Sequence, residues 1–293
     1  MQQKPHFFLL PVVILLALST ILWAKNSATV TSERMAVDKG SNTILLEGKV
    51  VAIKKATDLR VETDRMEMTR DPSTDQISKA EANGNVVVTE KERVLKSKWA
   101  FFDRFQSRAE LKGKVSIQSE DYQLRGEYIR FNTESKKGKI TALPMKMVYF
   151  DFFRKGETED APRRPVNGKA KEIVIDEKAR KVLLSGNVEV IDTSDTSTFL
   201  TNRATILFDA SKDVQEIIAN GDFSMVQEGR ISRADRAIFD YQREIVDLIG
   251  NAYVKDEEQV EIESSRIEMY MDVERGVLQG KENAPVRVEI PLN

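Results

Sequence analysis

Along most of the chain, apolar side chains recur at every second position with polar ones between them. Val86 and Val88, Val115 and Ile117, Val188 and Val190, and Phe223 and Met225 follow a glycine in this way. Met66 and Met68, Ala100 and Phe102, Ile129 and Phe131, Ile173 and Ile175, and Ala237 and Phe239 repeat the alternation without one. Side chains two apart share one face of a strand, so the pattern predicts half-buried antiparallel strands, and a period of two excludes an amphipathic helix. The recurring glycine stands inside the strand pattern rather than at its end, which marks a bulge or a tight bend.

The pattern is duplicated. Gly48, Gly84 and Gly113 return as Gly186, Gly221 and Gly250, at offsets of 138, 137 and 137. Their neighbours return with them: ILLEGKVVAI as VLLSGNVEVI, AEANGNVVV as IIANGDFSM, AELKGKVSI as VDLIGNAYV. Within a half the glycines stand 29 to 36 residues apart, about four units per half. A long strand bent at each glycine passes from one sheet into a facing one, and tandem repetition extends both sheets along one axis. The expected fold is therefore all-β: an open-ended antiparallel β-jellyroll, or two-sheet roll. Its two ends expose unpaired backbone, open to strand addition. Residues 28–150 form the first segment and 166–293 the second. The stretch 151–165 (DFFRKGETEDAPRRP), charged and holding Pro162 and Pro165, reads as a linker or long loop, with a lid as the alternative.

Ahead of the first segment, within residues 1–27, Phe7 to Ala24 is uncharged and strongly apolar. Eighteen residues suit either a long signal-peptide core or a short membrane-spanning helix, which needs about 17–25. Either way the charged remainder is exported, soluble after cleavage or held at the inner membrane by residues 7–24.

Composition narrows the chemistry. There is no Cys, and the one His, His6, precedes the apolar segment. The exported part therefore has no thiol nucleophile, no disulfide framework and no imidazole base or ligand; no enzyme, metal site or cofactor is expected. The 45 basic and 47 acidic residues are interspersed, without the basic stripe of a nucleic-acid binder. Gly48-Lys49 is followed by Val50 and Val51, not by the Ser or Thr of a phosphate loop. Trp99 and Phe101 read as a local patch or core contact, and Glu261 and Glu263 as the solvent face of a strand.

The export segment, the mid-strand glycines and the repeated basic–apolar–x–apolar–Asp endings resemble the OstA-like β-jellyroll family of lipopolysaccharide export, represented by LptA and LptC. Ala28 to Asp71 carries the pattern once and Gly168 to Asp209 carries it again. The resemblance implies a periplasmic protein that binds the acyl chains of lipid A in an apolar interior. It implies contact, through edge strands, with the inner-membrane lipopolysaccharide ABC transporter and with other OstA-like proteins, including head-to-tail self-association. The candidate acyl-chain trough is Met66, Met68, Val86, Val88, Phe102, Val115 and Ile117 in the first half. In the second half it is Val188, Val190, Phe208, Phe223, Met225 and Phe239. A wholly filled core has the same pattern, so the competing expectation is a structural β-repeat protein of the cell envelope.

Overall fold

The structure is a computed structural model describing residues 28–55, 58–119, 122–143, 146–154, 164–192, 197–210, 214–227, 229–257, 260–270, 276–279 and 286–289. The apolar segment 7–24 lies outside the described residues. Among the described residues no helix is long and apolar enough to cross a membrane. Two compact units are present. One ends at Val148 and includes Val174–Lys178; the other holds Tyr149–Ile173 and everything from Ala179 onward.

The N-terminal unit is built from β1 (Thr29–Thr31), β2 (Arg34–Asp38), β3 (Thr43–Lys54), β4 (Leu59–Arg70), β5 (Ile77–Glu90), β6 (Arg93–Asp103), β7 (Arg108–Gln118), β8 (Tyr122–Asn132) and β9 (Lys137–Thr141). From β3 to β9 each strand pairs antiparallel with the next, and β1 and β2 both pair with β3. After β10 (Val148–Arg154) come β11 (Arg164–Ala170), β12 (Glu172–Asp176), β13 (Lys181–Asp192), β14 (Ser197–Phe208), β15 (Val214–Gln227), β16 (Arg230–Asp240), β17 (Ile245–Lys255), β18 (Glu261–Tyr270), β19 (Gly276–Gln279) and β20 (Arg287–Glu289). In the C-terminal unit β13 to β18 form the same antiparallel meander, with β11 on β13 and both β19 and β20 on β18. Within the expected linker, residues 151–154 continue β10 and 164–165 begin β11; the two ends of that charged stretch have the extended backbone of strands, and 155–163 lie outside the described residues.

The strand-ending Asp and Asn residues shape the turns. Backbone N–H groups of Gly40, Ser73, Gln106, Ser135 and Arg243 donate to the side chains of Asp38, Asp71, Asp103, Asn132 and Asp240 at 2.7 to 3.0 Å. A short acceptor that bonds the chain two or three residues on closes a turn without help from the rest of the protein.

Each long strand is folded over at its middle. At Gly84 and Asn85, φ is +78° and +45°, two successive left-handed residues. A Cβ on Gly84 would lie 2.3 Å from an Asp64 carboxylate oxygen, so only glycine fits. The register to β4 and β6 shifts at this point, with one extra residue on β5. Gly221-Asp222 repeats the device in the C-terminal unit, with φ of +81° and +49°. Thr63 and Thr201 cover the carbonyls this loosens. The Thr63 hydroxyl lies 3.0 Å from the Asn83 carbonyl and 2.9 Å from that of Gly84; Thr201 does the same to Asn220 and Gly221 at 3.0 and 2.9 Å.

The fold-over brings two arms of each strand face to face. Phe239 is registered to Ile217 on β15, while Phe223 lies six residues further along that strand. A flat strand would separate those two places by about 20 Å at ~3.3 Å per residue. Their rings instead lie 5.9 Å apart, edge to face. The C-terminal unit is thus a roll of two facing layers, and its core lies between them. The burial pattern puts the inward residues of both arms into one interior in the N-terminal unit as well. The fold is the all-β antiparallel jellyroll that the alternation predicts.

Candidate functional site

The interior between the arms is the candidate site, and the trough residues chosen from the sequence are buried or half-buried on the strands that line it. In the N-terminal unit Val86 and Val88 are fully buried, and Phe102, Val115 and Ile117 are at most 2% exposed. Met66 and Met68 are buried on β4, where Met66 faces Leu46 and Ala82 and Met68 faces Ile44 and Ala80. In the C-terminal unit Val188, Phe208 and Phe223 are buried, whereas Val190, Met225 and Phe239 are half-buried. Phe223 and Phe239 meet a third ring that the alternation did not single out. Phe199 lies 5.6 Å from Phe223 and 6.2 Å from Phe239. Ile262 and Met269 pack against the same cluster. Phe199 was readable only through the duplication, as the counterpart of Val61.

The interior is apolar with few interruptions. Ser97 and Ser232 are buried, and among the described residues their hydroxyls have no hydrogen-bond partner. The lining can bury hydrocarbon. Among the described residues no group of three His, Cys, Asp or Glu is placed to hold a metal ion.

Two features lie away from the interior. At the corner of the C-terminal unit a cleft of about 350 Å³ is lined by Lys169, Asn187, Glu189, Leu200, Asn202 and Asp222 among others. Within it Lys169 pairs with Glu189 at 2.6 Å, and Asn202 donates to Asp222 at 2.8 Å. On the outer face of the N-terminal unit Trp99 and Phe101 stack at 5.8 Å. Lys112 sits over the Trp99 ring at 4.3 Å and Arg108 over Phe101 at 5.2 Å. The Trp99 indole donates to Glu81 at 2.8 Å. That hydrogen bond, followed by one from Asn83, holds the Glu81 carboxyl below its ordinary range. The patch is a set of cross-strand pairs of the kind that stabilise a sheet. Glu263 is exposed, and Glu261 pairs with Lys255 at 2.8 Å.

The family described as LptA/(LptD N-terminal domain) LPS transport protein matches this chain twice, over residues 29–137 and 169–275. The chain belongs to this family. The two matches fall on the two halves of the duplication, so the repeat is a repeat of one LPS-transport domain, and the family is one of transport rather than catalysis. Among solved structures, LptH, described as the LptA-homologous periplasmic component of the lipopolysaccharide transport device of Pseudomonas aeruginosa, is similar at 13% identity and a TM-score of 0.35. The similarity covers 47% of this chain and 91% of that one. No curated protein matches the sequence.

Proposed function

We propose that this chain is a periplasmic carrier of lipopolysaccharide between the inner and outer membranes, holding lipid A acyl chains between the arms of its β-jellyroll. The observation that carries this reading is the coincidence of an LPS-transport family match with an interior lined from both arms by apolar side chains. Each buried CH₂ contributes about 0.8 kcal/mol, so a chain lying along the interior needs no polar anchor to be held. The uncharged segment Phe7 to Ala24 supports export, as a cleaved signal or as an inner-membrane anchor.

Connection to neighbours in the pathway uses strand edges. All five residues of β2 are exposed, Met35 at 68% and Val37 at 53%. An extended segment with apolar side chains open to water suits the addition of another strand. The partners are other OstA-like proteins, the inner-membrane transporter, or a second copy of this chain. The inner-to-outer direction comes from an energy-coupled partner.

The test is photocrosslinking in cells, with a photoreactive residue replacing Phe223. Lipopolysaccharide is the expected adduct, and exposed Phe105 (69%) is the control. Label at Phe105 alone would sink the carrier reading and favour a structural β-repeat with a filled core.

A further inference from the structure

The duplication permits a comparison of the two interiors, each taken by itself, position by position. Beside the corner they agree: Val50 and Val188, Ala82 and Ala219, and Leu111 and Leu248 are all at most 4% exposed. Toward the arm tips they differ. Val61, Val88, Phe102 and Phe131 of the N-terminal unit are at most 1% exposed. Their counterparts Phe199, Met225, Phe239 and Met269 are all half-buried, packed around the core rather than sealed in it. Leu95, fully buried hydrocarbon, has Ser232 as its counterpart.

Ser232 stands between Met225 on β15 and Val254 on β17. It shares the inward parity of Ala234, is 0% exposed, and its hydroxyl has no partner among the described residues. A buried hydroxyl without a partner costs about 1–3 kcal/mol. The N-terminal unit carries leucine at this tip position; its own buried hydroxyl without a partner among the described residues, Ser97, lies two residues nearer the corner, where the C-terminal unit has Ala234. The exchange of valine and phenylalanine for methionine adds flexible, polarizable side chains at the same tips.

We propose that the C-terminal unit is the one that holds the acyl chain, and that the N-terminal unit is a closed core that takes none. The chain enters between arm tips ringed by Phe199, Met225, Phe239, Ile262 and Met269. Ser232 donates its hydroxyl proton to an ester or hydroxyl oxygen of that chain. The assignment rests on the lipopolysaccharide reading above and says which half of the protein carries it out.

The test uses the full chain, purified, with benzoylphenylalanine in place of Phe239 or of its counterpart Phe102, irradiated with lipopolysaccharide. Strong label is expected at 239, and label at 102 no greater than at the Phe105 control. Equal label at 102 and 239 overturns the division between the units while leaving the carrier reading intact. Absence of label at 102, 223 and 239 alike overturns the carrier reading itself. Phosphatidylglycerol vesicles that label 239 as strongly as lipopolysaccharide does overturn the choice of occupant. Ser232→Ala is expected to weaken lipopolysaccharide binding about three- to tenfold with the circular dichroism spectrum unchanged. Ser232→Leu, which restores the closed-core residue, is expected to remove the label at 239. Unchanged binding and label in both variants overturn the role of Ser232.

Discussion

At the scale of single residues, the outer faces of the strands are held by pairs that the alternation alone does not disclose. Glu81 was readable only as a polar position between apolar ones, yet it accepts from the Trp99 indole and from Asn83. Its carboxyl is depressed chiefly by the Trp99 bond. A depressed carboxyl contributes stability above its unfolded pKa, about 4.3, and loses it as pH falls through the folded value. Trp99→Phe removes the donor and keeps most of the ring. It should destabilise the protein by about 1–2 kcal/mol at pH 7, and the gap from wild type should close as pH is lowered below ~4.3. Urea midpoints at pH 7 and at stepwise lower pH check this; a gap independent of pH would assign the effect to packing.

At the scale of the strand, the corner organises everything. Inward residues flanking it are four apart on the glycine strands, as Ala82 and Val86 or Ala219 and Phe223. On the intervening strands they are three apart, as Thr63 and Met66 or Thr201 and Ala204. The intervening strands therefore switch from odd to even inward positions, or the reverse, at the bend. The glycine strands keep their parity by means of the extra residue. Glycine in the pattern made the bulge legible, because few other residues tolerate positive φ. The parity switch opposite it was not legible, since nothing in the sequence of β4 interrupts at Asp64. Gly84→Ala should cost about 1–3 kcal/mol through the left-handed backbone and the close approach of Asp64. Adding Asp64→Gly should recover the steric part and not the conformational part. Thermal unfolding of the single and double variants measures both.

At the scale of the whole molecule, two copies of one sequence pattern have different interiors. Phe102 is 1% exposed and Phe239, its counterpart, is half-buried. Phe102→Ala should cost about 3–5 kcal/mol, the range for a fully enclosed ring. Phe239→Ala should cost clearly less, because its cavity is already open on one side and can relax or fill with solvent. Denaturation of the two variants side by side tests the asymmetry without any ligand; equal losses would mean that both interiors are sealed alike.

The sequence by itself determined the local choices. Alternation set the strands, glycine set the bulges, and strand-ending Asp and Asn set the turns, because each acts over a few residues through backbone geometry and hydrogen bonding. Duplication determined that there are two copies of one domain, and the inward parity of the candidate residues followed from the period of two. Tertiary structure alone decided how tightly each interior closes. Phe199 and Phe239 are far apart along the chain, and they meet only because two arms fold over one corner. Whether Val88 or Met225 ends sealed or half-open depends on what the facing arm supplies across the gap. That is a sum over non-local contacts which the alternation shared by the two halves does not contain.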